Sequence, residues 1–338
     1  MLRWRKTMTA LLAGSIGLAA VAASAEPLIV STNVPSTHWS SVKGGEPWMA
    51  CVRQATGNEV EFQYFPTGQI ANVNNALDAL NQGVAQIAYI AVVAYSNKLP
   101  LNGISMLPDM GETVVEMTRA NRKALDAGGP LLQEFTNNRI RPLLINMYPV
   151  YQLLSRKEPL DTIEKMKGRK VSSGGGVLLL TSNALGVTGV EIPAADLYLA
   201  LQQGTVDGSI LAYASITSYK LQEVIKAVSG NGNFGSAAGI WAIDQGSWEK
   251  LPPAHRKAMT DCGLKVEAEL AAWVDASTEA LKNEMRASGI TVYDFSGPEK
   301  IAINEKMKMT RENYLARLNA RGLPAQQAYQ DYLKALGR

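Results

Sequence analysis

Residues 166–208 read MKGRKVSSGGGVLLLTSNALGVTGVEIPAADLYLALQQGTVDG, and the order of elements within them decides the fold. Lys170 to Ser173 is strand material, and Ser172 to Gly176 carries it directly into a helix. The backbone N–H groups at that helix start have no intrahelical acceptor. Three consecutive glycines let a ligand approach the backbone closely, and the orphan donors with the helix dipole attract anions and polar oxygens. The same turn also serves as a plain strand-to-helix connection with no ligand. Residues 177–185, VLLLTSNAL, are too apolar for an exposed helix and predict a buried one. After a second strand, Ala194 to Thr205 places Leu197, Tyr198, Leu201 and Gln202 at helical spacing, and Gly204 ends the helix.

Alternation of strand and helix continues on both sides, the pattern of an α/β chain with mainly parallel sheets. Leu28 to Thr32 reads as a short apolar strand and Val60 to Phe65 as an alternating one broken by Pro66-Thr67-Gly68. A helix through Leu77 and Leu80 then leads to a strand at Ala85 to Ala91. Pro142 to Leu154 has strand character interrupted by Pro149, as expected of a crossing between lobes. Ile240 to Ile243 is another short strand. His255 to Ser288 carries apolar residues every three or four positions and predicts one helix of roughly 50 Å, long enough to touch two lobes. A second amphipathic stretch, Glu299 to Leu336, is broken near Gly322 and Pro324.

The N-terminus has Arg3, Arg5 and Lys6, an apolar stretch from Met8 to Ala23, and small residues Ala23-Ser24-Ala25 before Glu26. This is the pattern of a secretory signal peptide cleaved near Ala25, which places the chain in the periplasm. Without residues 1–25 the chain carries 30 basic and 30 acidic side chains. Such a neutral chain gives no reason to expect a nucleic-acid partner. Cys51 and Cys262 would meet a compartment where disulfides persist; the sequence leaves open a bridge or two small buried thiols.

Catalytic signatures are scarce. Two histidines, His38 and His255, offer no metal spacing, and neither a GxSxG elbow nor a Walker A motif occurs. Gly230 to Gly235 matches GxGxxG but runs into the strand-like Ile240-Trp241, whereas a dinucleotide site needs a helix there. No metal, cofactor or enzymatic activity is expected. His38 with Asp207 is the one base pair an enzyme reading could use.

Lys167, Gly168, Lys170 and Val171, then Pro193, Leu197, Tyr198, Ala200, Leu201, Gln202, Val206, Asp207 and Gly208, resemble the central signature of the solute-binding proteins of TRAP (tripartite ATP-independent periplasmic) transporters, the DctP-type family. Phe65 to Ile70 (FPTGQI), Asn33 and Trp248 to Pro252 (WEKLP) extend the resemblance over nearly the whole exported chain. It implies a two-lobed periplasmic binding protein with mixed, mainly parallel sheets and a long helix spanning both lobes. The implied organisation is residues 26–150 mainly in lobe I, 151–240 mainly in lobe II, and 241–338 returning to lobe I with the spine helix 255–288. The implied partners are a small organic solute and the small and large TRAP membrane subunits, with the binding protein a monomer.

Departures from the family pattern fall at the ligand. Where relatives place arginines to grip a carboxylate, this chain has Ser172 and Gln152. The usual Gln-Glu-Asn-Pro after Val-Asp-Gly is Ser209-Ile210-Leu211-Ala212; Ala194 and Phe234 replace an aromatic and a His. A bidentate guanidinium is the strong way to hold a carboxylate, so the expected solute is neutral or aromatic rather than an ordinary dicarboxylate. The candidate ligand residues are Asn33, His38, Trp39, Tyr89, Tyr148, Gln152, Ser172, Ser173, Gly174, Gly175, Leu211, Tyr213, Phe234 and Trp241. Tyr89, Tyr148 and Trp241 lie in apolar stretches where an aromatic is also an ordinary core residue. A cation on ring faces, a monocarboxylate on the glycine-rich backbone, a sensory or ABC-type binding protein, and a periplasmic enzyme are the alternatives.

Overall fold

The computed structural model describes residues 26–338; the expected signal peptide lies outside them. Eleven strands are formed there: β1 Leu28–Ser31, β2 Phe62–Phe65, β3 Ile87–Ala91, β4 Ile140–Met147, β5 Gln152–Ser155, β6 Lys170–Ser173, β7 Thr188–Glu191, β8 Gly208–Leu211, β9 Ala227–Ser229, β10 Ala238–Asp244 and β11 Thr291–Tyr293. They make two sheets, ordered β2-β1-β3-β10-β4 and β11-β9-β5-β8-β6-β7. Each sheet combines parallel βαβ pairings, β1 with β2 and β3, β6 with β7 and β8, with antiparallel strands that return from the other lobe. The sheets are therefore mixed, with parallel pairing only slightly ahead.

The chain passes between lobes where Pro149 interrupts the strand pattern. β4 belongs to the first sheet, β5 to the second, and residues 148–151 cross between them. Proline lacks the N–H that a ladder needs. The return crossing, residues 230–237, runs beside it: the Tyr148 N–H donates to the Ala237 carbonyl at 2.8 Å, and the Tyr151 N–H to that of Gly235 at 2.7 Å.

Helix Pro253–Ala287 spans 35 residues and starts two residues before the sequence pattern placed it. Gly263 sits where a Cβ would overlap the Leu143 carbonyl oxygen of β4, so the helix backbone lies directly on the first sheet. Glu267 fixes the contact: it receives a two-pronged pair from Arg122 (2.9 and 2.7 Å) and the Ile145 N–H at 3.1 Å. The helix then reaches lobe II, where β11 adds to the second sheet beside β9. The segment after residue 240 was expected to return to lobe I; part of it also joins lobe II, through β11 and through Glu299, which accepts from the Ile163 N–H at 3.1 Å. Helices Gly297–Ala320 and Ala325–Leu336 come next, separated at Gly322 and Pro324 as expected. The first is opened by Ser296 capping the Glu299 N–H.

Cys51 and Cys262 form a disulfide, with Cα atoms 5.8 Å apart. It joins helix Glu46–Ala55 to the spine helix, where the Trp48 indole N–H also donates to the Met259 carbonyl at 3.1 Å. Of the two possibilities the sequence left open, the bridge is the one realised.

Candidate functional site

Parallel strands that start together also end together, and the loops leaving their carboxyl ends gather at one edge of each sheet. In lobe I that edge holds Asn33 after β1, Thr67 and Gly68 after β2, and Val93 and Ala94 after β3. In lobe II it holds Gly174 after β6, residues 191–197 at the end of β7, and Leu211 and Ser215 at the end of β8. Register sets the lobe II neighbours: Ser173 lies opposite Glu191, and Ser172 opposite Ser209. The two edges face one another across a cleft of about 610 Å³, whose back is made by Tyr148 and Tyr151 of the crossing and by Tyr89, Tyr219, Ala237 and Ala238. That size suits a small organic molecule.

The cleft has an aromatic back and an acidic rim. The Tyr89 and Tyr148 hydroxyls share a hydrogen bond of 2.8 Å, Trp39 stands edge-on to Tyr148 at 4.7 Å, and His38 packs 5.4 Å from Tyr219. Burial pushes the Tyr148 phenol up to about 12 and raises those of Tyr89, Tyr151 and Tyr219 as well, so all four are neutral donors at physiological pH. Burial also holds His38 down at about 3. Its Nδ1 accepts from the Ser40 N–H at 3.1 Å, which leaves the proton on Nε2. Among the side chains lining the cleft the charged ones are Glu191 and Asp196; the lining contains no Lys, Arg or His among the described residues.

The glycine-rich turn is filled by the protein itself. Gly175 has φ +93°, a left-handed conformation open to glycine. A Cβ there would stand 2.6 and 2.7 Å from the two Glu191 carboxylate oxygens. Cβ atoms on Gly174 and Gly176 would come within 3.1 Å of Val93 of lobe I. The three glycines let Glu191 and the opposite lobe approach, where the sequence pattern assigned the space to ligand.

The model of the bacterial extracellular solute-binding proteins, family 7 (DctP), matches residues 30–317, both lobes included. The chain belongs to this family. It is 23% identical over 335 residues to the outer membrane transporter protein TsaT of Comamonas testosteroni, covering 97% of this chain and 96% of that protein. Its fold is similar to that of a marine-metagenome TRAP solute-binding protein from an unidentified microbe, specific for aromatic acid ligands and in complex with metahydroxyphenylacetate. That structure has a TM-score of 0.85 and 17% identity, covering 92% of this chain and 98% of the other. It is similar also to a TRAP solute-binding protein from Rhodoferax ferrireducens T118 in complex with copurified benzoate, with a TM-score of 0.84 and 20% identity over 92% and 97% of the two chains.

Within this family 7 cleft the structure brings together Asn33, Tyr89, Tyr148, Ser173, Gly174 and Leu211 of the sequence-based candidates. The others lie behind it or elsewhere. Ser172 alternates to the opposite side of β6 from Ser173 and is buried, its hydroxyl 3.4 Å from the Gly208 carbonyl. Gln152 spends its amide on the return crossing: it donates to the Gly232 carbonyl at 2.7 Å and accepts from the Ser229 hydroxyl and the Gly232 N–H. The Tyr213 hydroxyl donates to the Ser229 carbonyl. Phe234 is enclosed against Phe295, and Trp241 is buried in lobe I against Tyr89. Trp39 and His38 support Tyr148 and Tyr219 from behind, and Gly175 is covered by Glu191. His38 bonds Ser40 while Asp207 accepts from the Lys170 N–H, so the pair an enzyme would need is not assembled. Sequence reasoning missed Tyr151, Glu191, Asp196, Ser215 and Tyr219. The signal for them is position: each comes after a strand end that the βαβ pattern points at the cleft, or lies in the crossing marked by Pro149.

Proposed function

We propose that this chain is the exported solute-binding component of a TRAP transporter. It captures a small, neutral or aromatic organic solute between its lobes and delivers it to the small and large membrane subunits. Residues 1–25 act as the signal peptide, removed near Ala25, and the binding protein works as a periplasmic monomer. The observation that carries the reading is a cleft of about 610 Å³ at converging strand ends, backed by four tyrosines and with no basic side chain among the described residues that line it. Tyrosine faces and neutral hydroxyls suit an aromatic body with hydrogen-bonding substituents. Relatives of the same fold hold aromatic acids such as benzoate, which supports the aromatic part. An aromatic monocarboxylate seated on the Gly174 backbone is the reading those ligands favour, and Glu191 beside that position opposes it.

A thermal-shift screen of the purified protein tests the proposal, because a ligand at a hundred times its dissociation constant adds ~2.7 kcal/mol of stability. Aromatic amides and alcohols are expected to raise Tm, whereas succinate and malate are not. Stabilisation by dicarboxylates would overturn the ligand class, and conversion of a bound compound into product would overturn the binding-protein role.

A further inference from the structure

The rim of the cleft carries two solvent-exposed carboxylates with no basic side chain beside them in the lining. Glu191 and Asp196 both line it, and neither carboxylate has a hydrogen-bond or ion-pair partner among the described residues. Deeper in, two polar atoms also lack partners: the Ser215 hydroxyl oxygen, on a residue 1% exposed, and Asn33 Oδ1. Both residues line the same cleft. An amide oxygen only accepts, a hydroxyl oxygen accepts as readily as it donates, and a carboxylate accepts only. Buried acceptors without donors are costly unless a partner fills them. The rim therefore offers acceptors and negative charge, which suit N–H donors and positive charge, while the back offers tyrosine hydroxyls that can donate and ring faces that attract cations.

We propose that Glu191 and Asp196 are specificity-determining residues that select a solute carrying a protonated amine on an aromatic or otherwise apolar body. This rests on the solute-capture reading above and fixes the sign of the ligand's charge. The ammonium lies at the rim between the two carboxylates, and the apolar body points toward Tyr148 and Tyr219. A carboxylate in the same place would face two like charges with no guanidinium to offset them, and is rejected.

Three frameworks, phenyl, 3-hydroxyphenyl and indolyl, each presented as carboxylate, primary amide and aminomethyl compound, separate charge from shape when titrated calorimetrically into the purified protein. The aminomethyl member of the best framework is expected to bind about tenfold more tightly than its amide, with the carboxylate weakest. Glu191→Gln is expected to bring the ratio of amine to amide affinity most of the way to unity, and Glu191→Asp to restore part of that ratio. Equal binding of amide and amine, or an unchanged amine preference in both Glu191→Gln and Asp196→Asn, overturns the charge assignment and leaves solute capture standing. Tightest binding by a carboxylate overturns it as well. Failure of every member at millimolar concentration overturns the aromatic reading and this inference together.

Discussion

His38 lies behind the cleft lining rather than in it, packed against two of the tyrosines that form the back wall. Its ring is buried behind Tyr148 and Tyr219, bonded through Nδ1 to Ser40, and held neutral down to about pH 3. In the unfolded chain the same imidazole takes a proton near pH 6.5. Between those values the unfolded state binds the extra proton, so the stability due to a neutral His38 falls as pH falls from 6.5 toward 3. The slope is up to about 1.4 kcal/mol per pH unit. Urea unfolding of wild type and His38→Gln at pH 7 and pH 5 checks this: the wild type is expected to lose more stability over that interval than the variant, and parallel losses would show that His38 is not the group responsible. At this scale the sequence was legible in residue kind but less so in direction. Ser172 and Ser173 are identical in the sequence, and only the alternation of β6 decides that Ser173 faces the cleft while Ser172 is enclosed. Gln152 likewise carries no mark in the sequence that its amide is consumed by Gly232 and Ser229. Glu191 reads as an ordinary exposed strand-end residue until register sets it beside Ser173 and against Gly175.

Between elements, the most consequential link is the disulfide that closes a sequence separation of 211 residues. Restricting the unfolded chain over so long a loop stabilises the fold by up to about 5 kcal/mol in the chain-entropy view. Because both cysteines belong to helices packed on the first sheet, reduction acts on the lobe I scaffold and spares the lobe II strand ends. Guanidinium unfolding with and without dithiothreitol is expected to show a lower midpoint for the reduced protein, with solute still bound well below that midpoint. An unchanged midpoint would mean that the bridge adds nothing to stability. Elements with strong periodicity or punctuation were legible: the spine helix, the crossing at Pro149, the break at Gly322 and Pro324, and the helix after the glycine-rich turn. Local pattern does not carry pairing partners, which is why the sheets proved more evenly mixed than expected. β11 escaped notice because three residues, Thr291 to Tyr293, are too few for alternation to register.

At the scale of the whole molecule the same residues that line the cleft also join the lobes. Tyr148 and Tyr151 belong to one crossing and are hydrogen-bonded to the other through Ala237 and Gly235, so a solute resting on these rings touches the segment about which the lobes would move. The lobes also meet at a seam formed by Val93 and Ser96 of lobe I against Gly174 and Gly176 of lobe II. Cβ atoms on those glycines would stand 3.1 Å from Val93 and, at Gly176, 3.3 Å from the Ser96 Cβ. There is room in the seam for glycine and little else, so the closed arrangement depends on small residues meeting there. On the proposed solute-capture reading, binding favours closure because the solute gains its second wall only when the seam is shut, a differential contact of the kind that shifts a two-state equilibrium. Ser96 lies outside the cleft lining and is exposed, so Ser96→Trp inserts bulk at the seam without altering a ligand contact. Small-angle scattering of the wild type is expected to show a smaller radius of gyration when a stabilising solute is added. The variant is expected to keep the larger value and bind at least tenfold more weakly, with its solute-free Tm unchanged. Equal compaction of both proteins would place closure elsewhere, and weaker binding with normal compaction would assign the effect of Ser96→Trp to something other than the seam.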